Sequence, residues 1–277
     1  MSVENGFLQI NGAQIYYEQA GAGDCIILIH GFALDTRTWD RQFDVFAEHY
    51  RVVRYDLRGF GKSDLPTGPY STLDDLQVMM DQLGIEKATL VGISLGGSLA
   101  IEFALTYPER VAGLVLAGST LRGYPFSDAY ITAFLSCRKT ARFQGLDAVR
   151  EELANCPLIA TIARQSANFA PVKTMIKDYS CFHLLNHDPH KVFHPPAMTR
   201  LSEVACPVQI LVGQEDVQDI RATAELLERE IKQARLAEIP NVGHIVNLEA
   251  PKQFNDIVLD FVRTRDAHAA TCSDSAA

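Results

Sequence analysis

A serine, a carboxylate and a histidine follow one another along this chain in an order that suits acyl transfer. Ser94 stands in Gly92-Ile93-Ser94-Leu95-Gly96, a G-x-S-x-G pattern. A serine hydroxyl attacks poorly until a neighbouring base takes its proton. In a chain with 18 glycines the pattern alone is a weak signal, and its setting says more. The apolar run Ala88–Val91 leads into it as a strand, and Leu95–Thr106 leads away as a helix stopped by Tyr107-Pro108. A turn this tight needs small residues at 92 and 96, because side chains there would collide across it. Such a turn lifts the Ser94 hydroxyl above a sheet, at a helix N-terminus whose partial positive charge favours an oxyanion. His244, in Asn241-Val242-Gly243-His244, follows the last expected strand and is the candidate base. Asp216, in Gly213-Gln214-Glu215-Asp216, is the candidate acid, with Glu215 and Asp219 as competitors. A carboxylate there would fix the imidazole tautomer and stabilise imidazolium. The backbone amides of Leu95 and Phe32 are the candidate oxyanion donors, with Gly31 allowing the sharp turn that aims Phe32 inward.

Two other groupings are set aside. Asp56-Leu57-Arg58-Gly59-Phe60-Gly61-Lys62-Ser63 reads as a braced loop that supports the site, with Asp56 and Arg58 as the brace. It lacks the strand–turn–helix arrangement of a dinucleotide fingerprint. His183, His187, His190 and His194 crowd one segment, but Pro189 and Pro195-Pro196 break any helix that could aim them at a metal. A serine triad needs neither metal nor cofactor, and none is expected.

These residues need a scaffold that brings distant turns to one edge. Apolar runs recur at Cys25–His30, Arg51–Asp56, Ala88–Gly92, Val111–Ala117, Val208–Gly213 and Arg235–Ile239. Cys25–His30 is apolar throughout, as in a strand buried on both faces. Phe7–Ile10 and Gln14–Glu18 flank Asn11-Gly12, a hairpin signal. Helical patterns fall at Leu73–Leu83, Leu95–Thr106, Arg221–Lys232 and Pro251–Arg263. Strands alternating with helices imply a mostly parallel α/β sheet, covered on both faces, with an antiparallel edge from the hairpin. The alternation fails between Leu121 and Leu201. Residues 1–120 and 202–263 therefore read as one α/β core and 121–201 as a helical cap over the carboxyl edge of the sheet, where such folds build their sites. The small polar stretch 264–277 reads as a disordered tail.

Composition removes several function classes. The chain has 277 residues, enough for one large domain with an insertion, and a net charge of −9. No basic stripe is available for nucleic acid. No apolar run approaches the roughly 20 residues needed to span a bilayer. Met1 to Gln9 lacks the basic start and apolar middle of a secretory signal. The six cysteines are scattered, with no CxxC pair, which suits a reduced cytoplasmic protein.

Taken together, the chain resembles the α/β-hydrolase superfamily over about residues 7–120 and 200–263. His30-Gly31-Phe32, Asp56-x-Arg58-Gly59-x-Gly61-x-Ser63, Gly92-x-Ser94-x-Gly96-Gly97, Gly213-x-x-Asp216 and Gly243-His244 stand in that family's order. The resemblance implies an eight-stranded sheet flanked by helices, a helical cap and a Ser–His–Asp triad. Ser94 argues against the haloalkane dehalogenases and epoxide hydrolases of this fold, which use aspartate there. Asp188-Pro189, Pro195-Pro196-Ala197 and Arg200-Leu201 look similar to the capped esterases that include 3-oxoadipate enol-lactonases. The expectation is a serine hydrolase that cleaves an ester or lactone of a small to medium substrate through an acyl-enzyme. Carbon–carbon bond hydrolysis, cofactor-free perhydrolysis or haloperoxidation, and a small-molecule receptor that keeps the triad stand as alternatives. The aromatic residues Phe126, Tyr130, Phe134, Phe143, Phe169, Tyr179 and Phe182 suggest an apolar pocket, and Arg138, Arg142, Arg164 or Lys173 could anchor a carboxylate.

Overall fold

The computed structural model describes residues 2–274. Eight strands form one sheet in the order β1-β2-β4-β3-β5-β6-β7-β8. They are β1 (Glu4–Ile10), β2 (Ala13–Ala20), β3 (Cys25–Ile29), β4 (Arg51–Tyr55), β5 (Ala88–Ile93), β6 (Val111–Ala117), β7 (Val208–Gly213) and β8 (Ala234–Ile239). β1 and β2 make the expected hairpin, and Asn11 and Gly12 both take the positive φ that a tight two-residue turn requires. β2 runs antiparallel to β1 and β4, and every other pairing is parallel.

β3 and β5 are buried at every position, which explains the uninterrupted apolar sequence of β3 and the single polar residue, Thr89, in β5. β8 closes the sheet as an edge, and only Ile239 of its residues is fully buried. The helices of the described chain are α1 (Phe43–Ala47), α2 (Thr72–Gln82), α3 (Leu95–Thr106), α4 (Asp128–Phe143), α5 (Leu146–Ala154), α6 (Ala160–Ala163), α7 (Ser166–Asp178), α8 (Phe182–Leu185), α9 (Gln218–Glu230), α10 (Val246–Glu249) and α11 (Pro251–Asp274). α3 packs on β5 and β6 and α9 on β7 and β8, while α11 packs on β6 and touches α1. No helix is long and apolar enough to cross a membrane, among the described residues.

Between β6 and β7 the chain leaves the sheet and forms α4 to α8. Residues 121–201 contribute no strand to it, and only an isolated bridge joins Tyr70 to His190. Ser127 clasps this insert to α9, donating to Asp219 through its amide at 2.6 Å and its hydroxyl at 2.7 Å. The stretch read as a disordered tail departs from expectation: α11 continues without a break to Asp274, and residues 275–277 lie outside the described ones. Two causes favour the longer helix. Ala267, Ala269 and Ala270 have the highest helix propensity of any residue type, and Arg265 is tied to Thr89 and Asp266.

Candidate active site

Ser94 sits between β5 and α3 with φ 52° and ψ −113°, a conformation that a non-glycine residue adopts only under constraint. The constraint comes from its neighbours. A Cβ on Gly92 would lie 2.3 Å from the Gly96 carbonyl oxygen, and one on Gly96 would lie 2.2 Å from that of Ile29. Both glycines are therefore required by backbone contacts that cannot give way. The Ser94 amide donates to the Ala117 carbonyl at 2.9 Å, which holds the turn on β6. The Ser94 side chain makes no capping bond to its own helix, so its hydroxyl is not used as a cap.

The acid and base come together from the next two strands. His244 Nδ1 and Asp216 Oδ2 are 2.9 Å apart, and both side chains are almost wholly buried. The other carboxylate oxygen, Oδ1, accepts the Val217 amide at 2.7 Å. The two loops are zipped together: the Glu215 amide donates to the Val242 carbonyl at 2.9 Å. Gly213 permits this, because a Cβ there would lie 2.1 Å from the Val242 oxygen. The competing carboxylates are engaged elsewhere. Glu215 pairs with Arg164 at 2.9 Å, and Asp219 holds Ser127. Of the three, Asp216 is the one that reaches His244.

Two residues that support the histidine were not visible in the sequence. Glu249, in α10, accepts the Gly243 amide at 2.9 Å and the Ile245 amide at 3.0 Å, so it grips the chain on both sides of His244. Burial pushes its carboxyl up from the usual range, while those two amides and His244 pull it back. Gly118 faces the imidazole, and a Cβ there would lie 3.0 Å from Nδ1. Gly118 carries no local motif because it acts on a residue far away in sequence; Glu249 lies only four to six residues from the amides it holds, but nothing in its neighbours marks it as an acceptor.

Phe32 follows β3, and β3 pairs with β5 so that Ile29 stands opposite Gly92. That register sets the Gly31-Phe32 turn beside Ser94, with the position of a Gly31 Cβ 3.4 Å from Ser94 Cβ. Leu95 opens α3, where its amide has no acceptor within the helix. The Phe32 amide has no backbone acceptor among the described residues. The Phe32 ring is held by edge contacts to Phe60, Phe134 and Tyr179. Behind it, the buried His30 ring accepts the Leu57 amide at Nε2 (3.0 Å) and donates from Nδ1 to the Gly31 carbonyl (2.8 Å). Desolvation holds His30 below the usual histidine range, which suits a neutral bracket.

The Asp56–Ser63 loop does brace this edge, with one difference from expectation. Asp56 accepts the Thr36 and Lys62 amides at 2.7 and 2.8 Å. Arg58 is not its partner. It reaches back to α2 and forms a buried fork with Asp75, at 2.9 and 2.8 Å.

Ser94, His244, Phe32 and Leu95 all line one cavity of about 480 Å³. The insert supplies much of its wall, including Phe126, Tyr130, Phe134, Leu158 and Ile159. Phe143, by contrast, points to solvent at 76% exposure. A second cavity of about 210 Å³ adjoins it and shares Phe32, Leu95 and Phe134. Of the clustered histidines, His183 and His190 both contact Tyr70 and line the smaller cavity. His183 stacks on Phe60 with centroids 4.3 Å apart, and His190 contacts the Thr72 hydroxyl at 3.0 Å. No group of three or more potential ligands is placed to hold a metal ion among the described residues.

Residues 24–251 match a family model described as the alpha/beta hydrolase fold. A 2-hydroxy-6-oxononadienedioate/2-hydroxy-6-oxononatrienedioate hydrolase of Paraburkholderia phymatum is 30% identical, covering 90% of this chain and 91% of that protein. Among solved structures, a thermophilic esterase from Thermogutta terrifontis superposes with a TM-score of 0.82 at 26% identity, covering 95% of this chain and 99% of that one. An enol-lactonase from Burkholderia xenovorans shares the fold with a TM-score of 0.76 at 23% identity, covering 93% and 100%.

Proposed function

Since the chain belongs to the alpha/beta hydrolase fold family, we propose that it is a serine hydrolase of carboxylic esters or lactones, with Ser94, His244 and Asp216 as its triad. One observation carries the reading. A buried His244–Asp216 hydrogen bond of 2.9 Å opens onto the same cavity as a strained Ser94 at a helix N-terminus. The likeness to the Thermogutta esterase agrees with it.

In this mechanism Ser94 Oγ attacks the carbonyl carbon while His244 Nε2 takes its proton. Asp216, already bound to Nδ1, stabilises the imidazolium. The amides of Phe32 and Leu95 donate to the oxyanion. Collapse expels the alkoxide, which takes the proton from Nε2; in a lactone it stays tethered to the acyl group. Water then attacks the acyl-enzyme with His244 as base, and the carboxylic acid leaves. The insert acts as a cap whose aromatic side chains receive the apolar limb of the substrate. We place this activity in the cytoplasm, in keeping with free thiols at Cys25, Cys137, Cys156, Cys181 and Cys206.

The test is hydrolysis of p-nitrophenyl butyrate by the native protein and by Ser94→Ala, with fluorophosphonate labelling of both. Loss of turnover and of labelling in the variant is the expected result. Equal activity in the two proteins overturns the assignment. Very slow native turnover with tight ligand binding marks a receptor instead.

A second reading is carbon–carbon bond hydrolysis by the same triad. It is favoured by the likeness to the dienedioate hydrolase, whose named substrate contains no ester. Parallel assays on esters, lactones and vinylogous oxo-dienoates separate the two.

A further inference from the structure

The two adjoining cavities differ in chemistry. The larger is walled mainly by apolar side chains, whereas the smaller mixes apolar walls with charged and hydrogen-bonding side chains, among them Arg58, Glu102, Arg122, Arg138 and Asp188. Their shared walls include Phe32 and Leu95, the two residues whose amides face the reacting carbonyl in the mechanism above. A substrate held there therefore has polar space beside one limb and apolar space around the other.

The charges in the smaller cavity are unequally satisfied. Arg58 has its charge paired by the Asp75 carboxylate, through Nε and Nη2, and Nη2 also donates to the Ile10 carbonyl. Glu102, buried on α3, is paired with Arg122 Nε at 2.6 Å. That pairing uses Nε alone, and the two terminal nitrogens of Arg122 have no protein acceptor among the described residues. Arg138, on α4, meets no carboxylate among the described residues and donates to the Asn186 carbonyl at 3.3 Å. Among the described residues no arginine pairs with Asp188. It accepts the His190 amide at 3.2 Å and interacts with the Tyr70 hydroxyl. His183 adds no cation at neutral pH, because burial pushes it down to about 4. His190 is lowered by burial and then by the positive field of Arg122, so it too is a neutral neighbour. Guanidinium donors without acceptors are what the chamber has in excess, and a carboxylate matches them in charge and in planar fork geometry.

We propose that this side chamber is a carboxylate subsite formed by Arg122 and Arg138, and that the preferred substrate is an ester or lactone with one apolar limb and one limb ending in a carboxylate. This rests on the acyl-hydrolase reading for the position of the reacting carbonyl. The binding preference itself is measurable without turnover.

The experiment uses full-length Ser94→Ala and titration calorimetry, so that bound ligand survives. Two ligand pairs place the charge on either side of the ester: monophenyl glutarate with its methyl ester, and 4-(butyryloxy)benzoate with its methyl ester. Butyrylcholine is the cationic control for Asp188. In at least one pair the acid should bind tenfold tighter or better than its methyl ester. That ratio is the low end for charged hydrogen bonds, because Arg138 is only half-buried. Adding Arg138→Gln should reduce the ratio below threefold, Arg138→Lys should restore part of it, and added salt should weaken the acid selectively. Equal affinity within both pairs, a ratio indifferent to Arg138→Gln, or tightest binding of butyrylcholine overturns the subsite. Ser94-dependent hydrolysis by the native protein without any acid preference would leave the hydrolase reading intact and remove only the subsite. Acid preference in a native protein that hydrolyses none of the esters would do the reverse.

Discussion

Replacing Asp216 with asparagine should silence the protein while leaving it folded, and the reason lies in a single amide. In the native protein Asp216 Oδ1 accepts the Val217 N–H at 2.7 Å, and Oδ2 faces His244 Nδ1 at 2.9 Å. Asparagine has one oxygen and one NH₂ group for these two positions. The Val217 N–H needs an acceptor, so the oxygen takes the Oδ1 place and the NH₂ turns toward the imidazole. Nδ1 must then be the acceptor, and the proton moves to Nε2, the nitrogen that receives the Ser94 proton in the proposed mechanism. The base is lost through its tautomer rather than its position. A wrong tautomer of this kind costs on the order of 10⁴ in kcat, or roughly 5.5 kcal/mol of barrier. Asp216→Asn is isosteric and keeps both hydrogen bonds, so its unfolding midpoint should stay within about 1 kcal/mol of native. The assay is kcat for p-nitrophenyl butyrate between pH 6 and 9, beside urea unfolding of the same samples. A loss below tenfold would refute the tautomer argument. A loss of stability that tracked the loss of activity would refute the claim that the fold is spared.

Three further outcomes follow from the geometry. Gly96→Ala places a methyl group 2.2 Å from the Ile29 oxygen and 2.7 Å from that of His30, both backbone atoms; unfolding should come roughly 3 kcal/mol earlier, with activity lost, as denaturation and esterase assays will read. Glu249→Gln turns one of the two acceptors that hold the Gly243 and Ile245 amides into a donor; about 1–3 kcal/mol of stability should go, and kcat should fall more than KM rises. His183 has a folded pKa lowered from 6.5 to about 4, chiefly by burial, so between those values the unfolded chain binds more protons and stability falls as pH falls. Urea midpoints should therefore show about 2 kcal/mol lost between pH 7 and pH 5, a loss that His183→Gln flattens; an unchanged slope in the variant would assign the acid sensitivity elsewhere.

What the sequence made legible was whatever depends on near neighbours. Ala88–Ile93 and Cys25–Ile29 are buried on both faces and read as strands because they are almost wholly apolar, with Thr89 the one polar side chain. Gly92 and Gly96 could be justified in advance, since the clash they avoid is set within one turn of chain. Asp216 could be ranked above Glu215 and Asp219 by place alone, and it is the one within reach of His244. Long-range pairing was less visible. Arg58 was assigned to brace its own loop, yet its carboxylate partner is Asp75, on the next helix. Gly118 carries no motif, because the histidine it faces is reached only after folding, whereas Glu249 is local to His244 and went unread because no pattern marks it. His183 is a wall of the smaller cavity, stacked with Phe60 and Tyr179 over a Gly59 whose Cβ would lie 2.6 Å from the ring; those partners come from distant segments and leave no local signal. The end of α11 was misjudged because small polar residues suggest fraying, while alanines and an established helix upstream favour propagation.

The order of strands in the sheet carries one more consequence, for how this protein fails. In the proposed site, Ser94 and the two oxyanion amides hang from β3 and β5, in the middle of the sheet, whereas Asp216 and His244 hang from β7 and from the edge strand β8. Local opening begins where burial is least and edges are exposed. Heating should therefore detach the proton-handling half of the site while the half that receives the substrate oxygen is still in place. Inactivation would then run ahead of the loss of ellipticity, passing through a species that keeps its sheet and its oxyanion pocket but has lost its base.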